Sequence, residues 1–332
     1  MQNINTIQIV GTGVTVAIIP PVGQERIYER FGSNTWDAAG APDQVPRMNV
    51  GIWDGDPLKA PAWVKTTGNV RGWNHKGKLY LSNGNYLVME NPAAGANQNL
   101  SAIGNIAREF GTGQAQVITD TIDVIAGGNT LVRPPVGEEW LITDIGAELW
   151  VGAPPAALPQ VNVDLTDGVS FARLMRSTDV RGWLYAMALY LTNDVYLRIV
   201  NANGGAANTI AWSGVKLQTH ASGQPNVVSA VGTVGAGGNI EARPTNTDEE
   251  WLISAFGAAT WIGAPPASLP DMAVDVVNAT PLISRLARNA DFCHQLSPPD
   301  LPVSRANYLR FTETNGGGDD LGFCGIRTRL LG

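Results

Sequence analysis

The residues best able to do chemistry here are three histidines, two cysteines and three close pairs of aspartates, and their spacing argues against a reaction. His75, His220 and His294 are spread along the chain, and none stands at metal-ligand spacing from another His or a Cys, apart from the neighbours Cys293 and His294. Adjacent residues on a strand point to opposite faces, so that pair cannot grip one ion. No Gly-x-Ser-x-Gly turn presents a serine nucleophile. Gly11-Thr-Gly13, Gly111-Thr-Gly113 and Gly235-Ala-Gly-Gly238 are glycine-rich, but no Gly-Lys-Ser/Thr follows, so they read as turns and not as phosphate cradles. Paired carboxylates would suit a glycosidase. Asp54 with Asp56 and Asp164 with Asp167 lie at Asp-Gly turns, where Asp is the expected hairpin residue. Asp319 with Asp320 follows a glycine run and reads as a solvated loop. None forms an Asp-x-Asp-x-Asp-Gly calcium loop. The expectation is a protein that is not an enzyme and carries no cofactor or metal.

Binding chemistry is better represented. Trp53, Trp63 and Trp73 fall in one stretch with Asp54, Asp56, His75, Tyr80 and Tyr86. Aromatic rings beside Asp and Asn suit a carbohydrate, and Trp and Tyr also favour the centres of protein interfaces. Trp73 recurs as Trp183 and Tyr80 as Tyr190, which marks those two as structural. Trp53, Trp63, Asp54, Asp56 and His75 remain as candidate interface or glycan contacts.

These residues must be positioned by a duplicated framework. Arg133-Pro-Pro-Val-Gly-Glu-Glu-Trp-Leu-Ile runs on to Trp150, and a copy shifted by 111 residues reads Glu249-Glu-Trp-Leu-Ile through Trp261. Gly152-Ala-Pro-Pro returns as Gly263-Ala-Pro-Pro, and Tyr196-Leu-Arg198 as Tyr308-Leu-Arg310. A more divergent copy begins at Pro20-Pro-Val-Gly23 and continues through Trp36, Val70-Arg-Gly-Trp73 and Leu79-Tyr-Leu-Ser-Asn83; it places Ile27 opposite Trp140. Such self-similarity outranks other sequence signals. Each copy is long enough to bury its own core, which implies tandem domains at 1–113, 114–224 and 225–332.

The pattern within a copy is β. Val161-Asn-Val-Asp-Leu-Thr166 and Tyr196-Leu-Arg-Ile-Val-Asn201 alternate at period two, and Asp-Gly, Asn-Asp and Asn-Gly-Gly turns separate such runs. Phe171 to Arg176 reads as a helical turn or another strand. Pro-Pro fixes φ and removes two donors, so it marks a corner before a central strand, not the middle of a sheet. Seven to nine strands per copy are expected. The fold class is all-β: three tandem antiparallel sandwich domains.

Composition narrows the function classes. The 332 residues are 44% hydrophobic and only 15% charged, with 38 Gly and 21 Pro, as expected for many short strands and turns. The net charge of −7 without a basic run disfavours nucleic acid. No apolar run reaches the ~20 residues that would span a bilayer. The first residues lack a signal-peptide pattern, so a chain made inside the cell, soluble and unprocessed, is expected. Cys293 and Cys324 read as two buried thiols more than as a bridge.

The order Pro134-Pro-Val-Gly-Glu-Glu-Trp140, Asp167-Gly168, Leu189 to Asn193, Tyr196 to Arg198 and Ser213-Gly214 resembles the jelly-roll-like sandwich domains of tailed-phage and other viral structural proteins. The resemblance covers the second copy and most of the third; the first lacks Glu-Glu-Trp. It implies a virion protein such as a capsid decoration or cement protein, or a head or tail fibre or spike, made in the host cytoplasm. Its implied partners are capsid or tail proteins and sister chains in a homotrimer, with a host glycan as the alternative partner. A pseudo-threefold monomer built from the three copies stays open.

Overall fold

A computed structural model of the chain describes residues 3–38, 44–67, 78–92, 96–109, 116–151, 158–177, 188–219, 226–262, 269–278, 280, 283–288 and 301–330. Every regular element among them is a β-strand. The stretch after Phe171 is a strand, Phe171–Met175, as is its counterpart Ile283–Arg288. No helix among the described residues is long and apolar enough to cross a membrane. The proline corners behave as their chemistry dictates. Gln24 N donates to Pro21 O and Glu138 N to Pro135 O, each at 3.0 Å. Gly23 and Gly137 sit at φ 82°, where a Cβ would be strained. The strands Gln24–Ser33 and Glu138–Ala147 start at once afterwards.

The chain divides into two compact units. One comprises Met1–Gly128, Ile142–Val161 and Asn201–Lys216; the other comprises Asn129–Leu141, Asn162–Val200 and Leu217–Gly332. In the first unit, one sheet runs in the order Asn3–Val10, Gln98–Glu109, Gln24–Ser33, Leu79–Leu81. A second contains the order Thr15–Ile18, Tyr86–Glu90, Asn49–Trp53, Ala62–Lys65. Val10, Tyr28, Leu81 and Leu100 of the first sheet share a buried cluster with Ile18, Val50, Ile52, Leu87 and Met89 of the second. Alternation at period two sends these side chains inward and their neighbours out.

The second unit repeats this plan with other strands. One sheet includes the order Val227–Val234, Asp319–Leu330, Glu249–Ala258, with Leu301–Ser304 also on Glu249–Ala258; the other is Asn239–Ala242, Asn307–Glu313, Met272–Asn278, Ile283–Arg288. Ile253, Leu321 and Phe323 face Met272, Leu309 and Phe311 in one core, where the Phe311 and Phe323 rings stack at 5.6 Å. In the middle of the chain the same sequential order of pairing is found among Val117–Val124, Asn208–Thr219, Glu138–Ala147 and Leu189–Leu191. It is found again among Asn129–Val132, Tyr196–Asn201, Val161–Thr166 and Phe171–Met175.

Within each unit these sheets are stitched to one another at a strand edge. Ala147 pairs with Trp63 in the first unit, and Arg173 with Ala258 in the second. The residue before each alanine is glycine, and the approach requires it. A Cβ on Gly146 would lie 3.0 Å from both Ala62 O and Val64 Cγ1, and one on Gly257 would overlap the Arg173 carbonyl. Gly257→Ala is therefore expected to destabilise the chain by about 2 kcal/mol or more, because the obstacle is backbone. Gly232→Ala, where nothing lies within 4 Å, should be within about 0.5 kcal/mol of wild type. Denaturant midpoints of the two variants check this; equal effects would contradict the close approach.

Candidate functional site

The strand Asn49–Trp53 delivers Trp53, Asp54 and Asp56 into one turn, while Trp63 lies on the next strand, Ala62–Lys65. Trp53 Nε1 lies 3.2 Å from both the Asp56 and Lys59 carbonyls, and its ring meets Tyr86 edge to face at 6.1 Å. Asp54 Oδ1 accepts from Asp56 N and Asp56 Oδ1 from Leu58 N, each at 2.9 Å, so both carboxylates close Asx-type turns. Gly55 between them has φ 84°. A Cβ there would lie 2.5 Å from Tyr86 Oη. Lys59 Nζ binds Asp54 Oδ2 at 2.6 Å and Thr121 O at 3.1 Å. Partial burial raises the Asp54 pKa, but Lys59 and the turn amides outweigh it and hold the carboxyl below its usual range. The Asp54 hydrogen bond and charge raise Lys59, against its own desolvation.

Sheet register identifies what Trp53 and Trp63 replace. Gly51 pairs with Trp63 across a bulge, Asp164 pairs with Arg173 across a bulge, and Asp275 pairs with Arg285 across a third. The Asp164 carboxylate is fully buried between Arg173 Nε at 2.8 Å and Arg198 Nη2 at 2.7 Å. Asp275 holds Arg285 in the same way at 2.8 Å. Where the other two sites have an ion pair, the first has a bare glycine and an indole: Trp63 Cε3 lies 2.8 Å from where a Gly51 Cβ would stand. Trp53 likewise takes the place of Thr166, whose hydroxyl donates to Ser170 O at 2.7 Å across the Asp167-Gly168 turn. Both tryptophans are half-buried and engaged by their own surroundings.

Distances and register correct three sequence expectations. Asp164 is not a turn residue like Asp167, whose Oδ1 accepts from Val169 N and Ser170 N at 2.8 Å. It lies in the strand Val161–Thr166 and neutralises two guanidinium groups. Its partners stand nine and 34 residues away, beyond the reach of local spacing. Register also sets Arg26, not Ile27, level with Trp251, since Arg26 pairs with Ile106 and Trp251 with Arg327. Asp320 Oδ2 accepts from Phe171 N at 3.0 Å and Asp319 accepts from Thr260 N, so this pair is part of the sheet framework and not a loose loop. His75, His220, His294 and Cys293 lie outside the described residues. Cys324 is a free, buried thiol, its pKa pushed up to about 11 by desolvation.

Sequence reasoning did not find one titratable pair. Lys65 and Asp144 are both buried in the first unit. Burial pushes the Asp144 carboxyl up to about 7, while the Lys65 charge and the Thr143 hydrogen bond pull it down. Desolvation lowers Lys65, opposed by Asp144. Among the described residues, no group of three His, Cys, Asp or Glu could hold a metal ion.

No family model matches the chain, and no curated protein matches it. One solved structure aligns, a chain of the X-ray structure of the entire lipid-containing bacteriophage PM2, at 10% identity over 98% of this chain and 87% of that one. Its TM-score of 0.17 carries no inference about fold or function.

The buried carboxyl gives a pH test. The folded chain keeps a proton on Asp144 that the unfolded chain loses above its ordinary value of 3.8. Stability should therefore fall as pH rises from that value towards about 7. Asp144→Asn should gain on wild type across this window by at most about 1.4 kcal/mol per pH unit. Parallel stability–pH curves for the two proteins would contradict the assignment.

Proposed function

We propose that this chain is a non-enzymatic structural component of a virus particle: a capsid decoration or cement protein, or part of a head or tail fibre or spike. On this reading it is three tandem antiparallel sandwich domains of jelly-roll type at 1–113, 114–224 and 225–332, and its work is protein–protein assembly. The observation that carries the reading is the recurrent order of strand pairing. First strand pairs with last, last with third, and second with ninth, so in each copy the chain crosses repeatedly between two groups of paired strands, with the sixth and seventh strands adjacent in one group. This order supports a jelly-roll reading, an architecture that viral capsid domains share with lectins and cupins. The low charge of the chain, 15% of residues, supports an interacting surface over a freely solvated one. Its partners are capsid or tail proteins and sister chains, with a homotrimer as the assembled form.

The assembly reading is favoured over a sugar site because Trp53 and Trp63 have identified packing roles, and the Trp53 indole N–H faces two carbonyls of its own loop. The test is peptide mass spectrometry of purified particles from a host producing this chain. Its peptides should co-purify with virions through a density gradient at stoichiometric abundance. Their absence from intact particles would overturn the proposal.

A further inference from the structure

We propose that a second copy of this chain docks head to tail on the first, its strand Ile283–Arg288 meeting the face formed by Asn3–Val10, Gln98–Glu109 and Gln24–Ser33. The proposal rests on the tandem-domain part of the reading above and not on the virus particle. It follows from a joint that the chain makes twice and that stands half-made on the first copy's face and on the strand Ile283–Arg288.

Both completed joints can be compared position by position. The first strand of each copy ends at Val10, Val124 or Val234, paired with Gln98, Asn208 or Asp319. Counting from those anchors makes Ile7 equivalent to Thr121, Ile9 to Asp123 and Thr233, and Ile103 to Ser213 and Cys324. In the second copy this outer face is covered by the first. Thr121 O accepts from Lys59, Ser213 Oγ lies between Tyr80 N at 2.7 Å and Tyr80 O at 2.8 Å, and Thr143 Oγ1 donates to Lys78 O at 2.7 Å. In the third copy the second covers it in the same way. Ser254 Oγ, equivalent to Thr143, donates to Ala188 O at 2.5 Å, Thr233 shares a hydrogen bond with Ser170 at 3.0 Å, and Cys324 is fully buried.

On the first copy the corresponding face is open, and three isoleucines project from it. Ile7 is 72% exposed, Ile9 75% and Ile103 49%. Glycine is kept as well. Gly32 occupies the place of Gly146 and Gly257, yet a Cβ there would meet only Ser101 Oγ, at 3.0 Å. Among the described residues, no approaching backbone accounts for that glycine. The face also carries charge: Glu29 and Arg30 are exposed on the same strand, and Glu29, which stands where Thr143 and Ser254 stand in the completed joints, pairs with Lys78 at 3.3 Å.

The other end has the matching half. Ile283–Arg288 pairs with Met272–Asn278 on one side, and no other strand pairing involves it among the described residues. Its counterparts Ala62–Lys65 and Phe171–Met175 each reach the next copy's sheet through the position Arg285 occupies here. Ile283 on this edge is 54% exposed. A bare trailing edge and a bare leading face of the same type are complementary, so association is heterologous. It gives a ring if the rotation closes and a filament if it does not.

The experiment measures mass by light scattering and sedimentation on the isolated full chain across protein concentration. Wild type should form multiples of the chain mass. Ile7→Asp with Ile9→Asp blocks the leading face, and Ile283→Asp blocks the trailing edge; each should weaken association by about 10-fold or more. All three positions are exposed, and unfolding midpoints near wild type confirm intact folds. Mixing the two blocked proteins should yield a heterodimer and nothing larger, because one good face and one good edge remain. Wild type that stays monomeric at every concentration would overturn the proposal without needing any variant. So would association unchanged by both substitutions, or folded blocked proteins that fail to pair. Absence from virions, by contrast, would sink the virion proposal and leave this one standing.

Discussion

The structure depends on how closely one β-edge can approach the middle of another sheet. At Gly146 and Gly257 the backbone of a neighbouring strand occupies the space a side chain would need. That contact replaces solvent on an edge whose amides and carbonyls would otherwise invite unplanned pairing. Around it the joints bury small or hydroxyl-bearing residues, Ala211 and Ser213 at one and Gly322 and Cys324 at the other. Such residues let sheets approach closely while leaving few polar groups to satisfy. An interface of this kind is specified by what is missing from its side chains, which also makes it hard to see in a sequence.

Much of the β framework was legible because its signals are local. Pro-Pro-x-Gly corners, Asp-Gly turns and period-two alternation each act over a few residues. Val161–Thr166 and Tyr196–Asn201 lie where the alternation placed them. The repeat was read from matching strings at offsets of 110 to 114 residues. Phe171–Met175 was ambiguous, since alternate burial in a short strand bearing two arginine-spaced apolar residues also fits a helical turn. Asp164 was misread for a different reason. Its position three residues before a turn resembles turn chemistry, whereas its two arginine partners come from separate strands and only the folded sheet brings them together.

The aromatic candidates show how a repeat can mislead in the opposite direction. Trp53 and Trp63 stood out because their equivalents are not aromatic. In the structure Trp63 over Gly51 fills the space that Asp164 with Arg173 and Asp275 with Arg285 fill elsewhere, and Trp53 spans the turn that Thr166 closes with a hydroxyl. An ion pair and an indole are chemically unrelated, but each can fill one volume beneath a bulge. Deviation from a repeat therefore marks a change of packing as readily as a change of function. The departures with no internal explanation are the exposed isoleucines of the first strand, where copies two and three carry polar or half-buried residues.

Residue-resolved hydrogen exchange measures the joint most directly. In dilute solution, amides at and next to Ala147 and Ala258 should be protected, because there the strand edge away from the neighbouring sheet strand meets Trp63 or Arg173. Those of 29–33, on the equivalent strand with one bare edge, should exchange faster on that side. Raising the protein concentration should then protect 29–33 together with 283–288. Equal protection at all three places at dilution, or exchange at Ala147 as fast as at 29–33, would contradict the account.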